Sequence, residues 1–146
     1  MVRAFFAIVA LTSIFSNSAH ADCLAPLANG AWGVRQNNGF VVNFNTTSTR
    51  DHHFSGSATT KGATGNLSGA WVVGDGKISP LVGAKTTPGV IAVAWKVYWT
   101  NGSIGSYSGE LDNNGFLRGI SLDETHPNSV TGIYSLTQFL RGNLNC

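Results

Sequence analysis

Charge is scarce in this chain. Only 11% of its residues are Asp, Glu, Lys or Arg, and nine Lys and Arg stand against seven Asp and Glu. Removing a leader that contains Arg3 leaves the mature chain near +1. No basic stripe is visible, which argues against the electrostatic footprint of a nucleic-acid binder. Helical periodicity is nowhere sustained, so helical fold classes drop out. Beyond the first 21 residues no apolar run reaches the roughly 20 residues that a membrane-spanning helix needs, and no membrane partner is expected. Catalytic signatures are missing as well: there is no nucleophile elbow, HExxH, phosphate-cradling glycine loop or pair of glycosidase carboxylates. Enzymatic activity therefore has no support and no cofactor is expected, although a constellation scattered over strands would leave no linear trace.

Cysteine is nearly absent, with two residues in 146, and their positions are informative. Residues 1–21 read as a signal peptide. Arg3 gives a positive start, Ala4 to Ile14 is almost wholly apolar, and Ala19-His20-Ala21 offers small residues to a signal peptidase. His20-Ala21-Asp22 ahead of Cys23 does not suit lipid attachment, so soluble export is expected: secretion, or the periplasm of a bacterium. Cys23 then becomes the second mature residue and Cys146 is the last. In an oxidising compartment they are expected to form one disulfide that ties the termini together, worth roughly 4 to 5 kcal/mol for so long a loop. Such a bond needs the two Cα atoms within about 7 Å.

What the chain has in quantity is glycine (18 residues) with Asn, Ser and Thr, the composition of a β-protein with many turns. Its longest strand signal is Ile91 to Trp99, where Ile91, Val93, Trp95, Val97 and Trp99 alternate and so share one face. Asn101-Gly102 follows, predicting a type I′ hairpin turn into Ser103 to Leu111. Further strands are predicted at Ala31 to Gln36, Phe40 to Phe44, His53 to Thr59, Leu67 to Val73, Lys77 to Ser79, Phe116 to Leu122 and Val130 to Leu136. Asn45 to Asp51, Lys61 to Gly65, Pro80 to Gly89 and Asp123 to Ser129 read as turns and loops. In Leu67 to Val73, residues Leu67, Gly69, Trp71 and Val73 are expected on one face. About eight strands with short connections predict a single domain over residues 22–146. The fold class is all-β, a small antiparallel up-and-down barrel of about eight strands, with a jelly roll or sandwich as the rival. Phe54-Ser-Gly56, Leu67-Ser-Gly69, Tyr107-Ser-Gly109 and Leu117-Arg-Gly119 each place a glycine two residues after a large apolar one, a spacing read as bends or close approach of neighbouring backbones.

Polar candidates for chemistry are few. Asp51 and His53, with His126 and Asp123, would make a metal or general-base group if their loops met; their ordinary role is solvated loop polarity. Asn45, Asn66 and Asn101 head N-glycan sequons, of which Asn101 in a tight turn is a poor acceptor. The aromatics are the better lead. Trp32 and Trp95 are expected in the core, and Trp99 beside a pocket near the end of the long strand.

The order of these elements resembles the avidin and streptavidin family. Gly30-Ala31-Trp32 is similar to its opening Gly-x-Trp strand, and Phe54-Ser-Gly56-Ser and Leu67-Ser-Gly69-Ala-Trp71 to its two x-Thr-Gly strands. Trp95-Lys-Val97-Tyr-Trp99 resembles its Trp-x-Val-x-Trp, and Ser106-Tyr107-Ser108-Gly109-Glu110 its Trp-Ser-Gly-Gln strand. The resemblance implies an eight-stranded up-and-down barrel that closes over biotin at one end. It matches Trp99 to an indole that lines the biotin pocket and sets Ser106 near a hydroxyl that contacts biotin; Tyr107 and Trp71 are the further candidate ligand-binding residues. Ala58 replaces the family's Tyr two residues after Gly56, and Val34 to Asn38 holds no secure counterpart of the Asn and Ser that grip the ureido oxygen. Two functions follow as expectations. One is an exported protein that takes a small biotin-like molecule or carbohydrate in the barrel's open end. The other is a module that engages a protein partner (as an inhibitor, effector or toxin) through the Pro80 to Gly89 and Asp123 to Ser129 loops. Self-association into a homo-oligomer is a further expectation.

Overall fold

The computed structural model describes residues 23–49 and 51–142. The chain forms β1 (Cys23–Ala25), β2 (Asn29–Gln36), β3 (Val41–Ser48), β4 (His53–Thr60), β5 (Ala63–Val73), β6 (Ile78–Ser79), β7 (Ala84–Lys85), β8 (Ile91–Trp99), β9 (Ile104–Leu111), β10 (Phe116–Asp123), β11 (Thr131–Gln138) and β12 (Leu140–Gly142). No helix occurs among the described residues. Eight strands close a barrel in the order β2-β3-β4-β5-β8-β9-β10-β11, every neighbour antiparallel, with β11 returning to β2. Consecutive strands lie side by side because each connection is short, apart from the β6–β7 hairpin inserted between β5 and β8. The up-and-down barrel is therefore the architecture, and the sandwich is excluded.

Alternation decides the inner face. Val93, Trp95 and Val97 of β8 are buried, and Lys96 and Tyr98, on either side of Val97, are exposed. Opposite them, Gly65, Leu67, Gly69 and Trp71 of β5 turn inward, while Val73 at the strand's end is exposed rather than sharing the buried face. The interior is filled by aromatic rings. Trp95 stacks on Tyr107 with ring centroids 5.0 Å apart and planes 7° apart. Trp32 meets Trp95 edge-on at 5.1 Å and Phe139 at 5.3 Å, and Phe44 lies 4.3 Å from Trp32. Burying one such ring stabilises the fold by roughly 1.5–3 kcal/mol before entropy is counted. Trp32 and Trp95 thus occupy the core as expected.

Three boundaries differ from the sequence reading. Strand β3 runs on through Asn45 to Ser48, where polar composition suggested a loop. Phe44 and Thr46 alternate inward, and the buried Thr46 hydroxyl accepts the Trp32 Nε1–H at 2.9 Å, so a polar residue is accommodated inside by a specific partner. Strand β5 begins at Ala63, because Lys61-Gly62 alone makes the turn from β4. Pro80 to Gly89 is not wholly irregular, since Ala84–Lys85 pairs back onto Ile78–Ser79.

The turn at Asn101-Gly102 is also not type I′. Gly102 alone has a positive φ, +87°, its N–H donates to Trp99 O, and Trp99 N–H donates to Ser103 O. Gly39 and Gly115 repeat that pair of bonds in the β2–β3 and β9–β10 turns. Each is a three-residue loop that ends on a left-handed glycine, a geometry that also matches strand twist. At the first of them the Asn101 Oδ1 accepts the Ser103 N–H and hydroxyl, holding the turn.

One end of the barrel is closed. There β1 pairs with β12, Cys23 opposite Gly142, so the two ends of the described chain lie side by side. Leu24, Leu27 and Phe139 are buried in the same cluster as Trp32. Neither this strand pair nor its plugging role was legible in the sequence. Cys146, the expected partner of Cys23, and the expected leader lie outside the described residues.

Candidate functional site

The opposite end is a mouth. It is rimmed by the β2–β3, β4–β5 and β8–β9 turns and by the Asp123 to Val130 connection between β10 and β11. Within it lies a cavity of ≈ 250 Å³ whose lining includes Phe40, Trp99, Gly105, Tyr107, Ser121 and Asp123. The barrel register explains the grouping. Val97 and Asp123 pair with Gly105 at one level, and Ser121 pairs with Tyr107 at the next inward level, so these positions on adjacent strands face the interior together. Trp99 is two residues beyond Val97 on the same face and half-buried at the rim.

Polar groups converge here without partners. The Tyr107 hydroxyl and the Ser121 hydroxyl make no hydrogen bond, although the residues are only 5% and 4% exposed. The Trp99 Nε1–H is likewise unpartnered. Gly105 leaves a notch between them: a Cβ there would lie 3.2 Å from Trp99 Nε1, 3.2 Å from the Tyr107 oxygen and 2.8 Å from Tyr107 Cε2. Trp95 Nε1 is the one buried side-chain nitrogen or oxygen without a partner among the described residues, so both hydroxyls stand open to the cavity, free to bond an occupant. Burial first, and the nearby Asp123 charge second, together push Tyr107 up to about 12, so the phenol is a protonated donor at neutral pH.

Asp123 is the charged member of the lining. Its Oδ1 accepts from the Thr125 N–H at 2.9 Å and the Thr125 hydroxyl at 2.6 Å, and its Oδ2 lies 2.9 Å from His126 Nδ1. The Thr125 hydroxyl first, then His126, hold the Asp123 carboxyl below its ordinary value and keep it ionised.

The four sequence-predicted binding residues separate. Trp99 and Tyr107 meet in the mouth. Ser106 points outward, because in a strand it must face away from Tyr107. Its hydroxyl donates to Glu124, which also pairs with Lys96 Nζ at 2.6 Å. Trp71 lies towards the plugged end, stacked on His52 with centroids 4.0 Å apart, and belongs to the core. Gly105 and Ser121 were missed, and Asp123 was read only as a member of a metal or general-base group. A pattern reading sees a glycine, a serine and a loop aspartate, and only barrel closure sets β9 and β10 beside each other.

Other candidates fall elsewhere. His53 opens β4 at the plugged end and His126 follows β10 at the mouth, so the proposed Asp51, His53 and His126 group is not assembled. No group of three or more metal-ligating side chains occurs among the described residues. Pro80 to Gly83 overhangs a second, outer-wall groove of ≈ 720 Å³ floored by Ser55, Ser68, Ala94 and Ser108. Asp123 and Ser129 border the mouth instead, so the two long loops flank different cavities. Asn45, Asn66 and Asn101 are all exposed, and the two hydrogen bonds accepted by Asn101 engage its side chain in the turn. Comparison with protein-family models, curated proteins and solved structures finds no match to this chain.

Proposed function

We propose that this protein is a binding protein that takes a small ring-shaped molecule, a carbohydrate or a biotin-like compound, in the open mouth of its barrel. The reading includes export after removal of residues 1–21 and a Cys23–Cys146 disulfide that ties the plugged end. The observation that carries it is the set of unpartnered polar groups of Trp99, Tyr107 and Ser121 around the Gly105 notch. An apolar floor with a few convergent polar groups is the usual form of a small-ligand site. The avidin-like order of strands and the Trp95-Lys-Val97-Tyr-Trp99 motif agree with this reading.

The test is a titration of the purified mature chain with biotin and with simple sugars, followed by intrinsic Trp fluorescence. Saturable quenching is expected, because Trp99 stands in the cavity. Trp99→Ala, which lacks that reporting indole, should lose binding by isothermal titration calorimetry, with some loss of stability because Trp99 packs against the core. Gly105→Ala should do the same by filling the notch, at a stability cost of about 1–3 kcal/mol for overpacking. Unchanged affinity in both variants would remove the mouth as the site.

A second reading, contact with a protein partner or a second copy, is favoured by Ile120, Tyr134 and Leu136, which are exposed on the outer wall of β10 and β11. Sedimentation velocity of the parent chain and of Tyr134→Ser with Leu136→Ser separates the two readings. A single monomeric boundary for both proteins disfavours self-association through this wall.

A further inference from the structure

We infer that the mouth selects a ligand carrying a positive charge, an amine-bearing ring such as an amino sugar, over its neutral and anionic analogues, with Asp123 as the specificity-determining residue. The inference rests on the mouth being a ligand site, as proposed above.

Charge on the lining is one-sided. Among the described residues that line the cavity, Asp123 is the single Asp, Glu, Lys or Arg. The side chain is held rather than mobile, since three hydrogen bonds from Thr125 and His126 fix both of its oxygens. A carboxylate has about four acceptor sites, so one is left for an incoming donor. The adjacent Glu124 does not share this role: it faces the outer wall and is committed to Lys96 and Ser106. Lys96, bound there, offers no compensating charge to the cavity lining.

The surroundings amplify the effect of that charge. Trp99, Tyr107 and Phe40 give the cavity aromatic walls. A cation gains from the faces of such rings, and a charge against low-dielectric walls focuses its field into the cleft. The Tyr107 hydroxyl, the Ser121 hydroxyl and the Trp99 Nε1–H are the unpartnered groups that would meet hydroxyl or ring oxygens. The complement to such a lining is a ring that bears oxygen acceptors together with one ammonium group. A carboxylate on the same ring would face Asp123 as a like charge.

A charge series on one scaffold tests this. The mature chain is titrated at neutral pH with 6-amino-6-deoxyglucose, glucose and glucuronic acid, which differ at one carbon, and Trp fluorescence is followed. The amine is expected to bind at least tenfold more tightly than glucose, and glucuronic acid more weakly than either. Asp123→Asn, which keeps an oxygen to accept the Thr125 N–H, should bring the three within about twofold. Glu124→Gln should leave the preference unchanged. Equal binding of the three to the parent protein, or a preference that survives in Asp123→Asn, overturns the inference. If that equal binding disappears in Gly105→Ala, the mouth remains the site and only the charge selectivity falls. Absence of a saturable response to all three also overturns the inference, and the mouth reading then stands or falls on the biotin titration.

Discussion

Tyr107 carries more of this molecule's chemistry than any other single residue. Its ring is half of the central stack with Trp95, and its hydroxyl reaches the mouth cavity without a hydrogen-bond partner. Burial and, second, the Asp123 charge together raise it from 10.0 to about 12. The neutral phenol is therefore favoured by the fold. Its stabilising contribution is full below about pH 10 and is lost as pH rises towards 12, because the unfolded chain releases the proton first. At about 1.4 kcal/mol per unit, roughly 3 kcal/mol is expected to disappear over that window. Urea unfolding of the parent protein and of Tyr107→Phe between pH 9 and about 12 measures it. The parent should lose the larger share of its stability, and parallel curves would refute the assignment. Trp95, the other half of the stack, is 2% exposed with its Nε1–H unpartnered, whereas the Trp32 indole is satisfied by Thr46. The two core tryptophans look alike in sequence, and only their tertiary neighbours distinguish them.

At the scale of elements, the glycines set how closely strands approach. A Cβ at Gly119 would fall 1.9 Å from Ser108 O and 2.5 Å from Gly109 Cα, and one at Gly109 would fall 2.4 Å from Arg118 O. These glycines face each other across β9 and β10, and neither strand can retreat inside a closed barrel. The repeated spacing in Tyr107-Ser-Gly109 and Leu117-Arg-Gly119 was therefore a legible sign of close approach, and that reading holds. Gly119→Ala is expected to destabilise by about 1–3 kcal/mol through overpacking, with no direct effect on the mouth. Chemical denaturation measures the loss, and a cost below about 0.5 kcal/mol, typical of a surface substitution, would contradict the geometry. Strand β8 was legible almost residue by residue because its alternation is unbroken. Strand β3 was not, because Asn45 to Ser48 is polar on both faces and the Thr46 partner lies 14 residues away in β2.

The whole molecule is a barrel with one end plugged and one end open. The plug is made by segments at the two ends of the described chain, β1 and β12, with Leu24, Leu27 and Phe139 beneath them. Leu27 is fully buried, so Leu27→Ala should cost about 2–5 kcal/mol. Because Leu27 does not line the mouth cavity, affinity there should be retained in the folded fraction. Thermal unfolding combined with ligand titration checks both halves of this expectation. Loss of affinity without loss of stability would place the plug and the mouth in one coupled unit.

Periodicity and turn chemistry are local, and they were enough to determine an all-β chain, the inner face of its longest strand, most of its turns and, through short connections, the up-and-down barrel. The inward direction of Trp99 and Tyr107 was legible for the same reason, since each stands on a strand whose alternation is clear. Tertiary structure alone decided which end is open, that Ser106 faces the outer wall, that Trp71 serves the core, and that Gly105, Ser121 and Asp123 share one cavity. Those outcomes depend on strand register and on barrel closure. Both are set by pairings across the chain, and a shift of one residue would have turned each of these side chains to the opposite face.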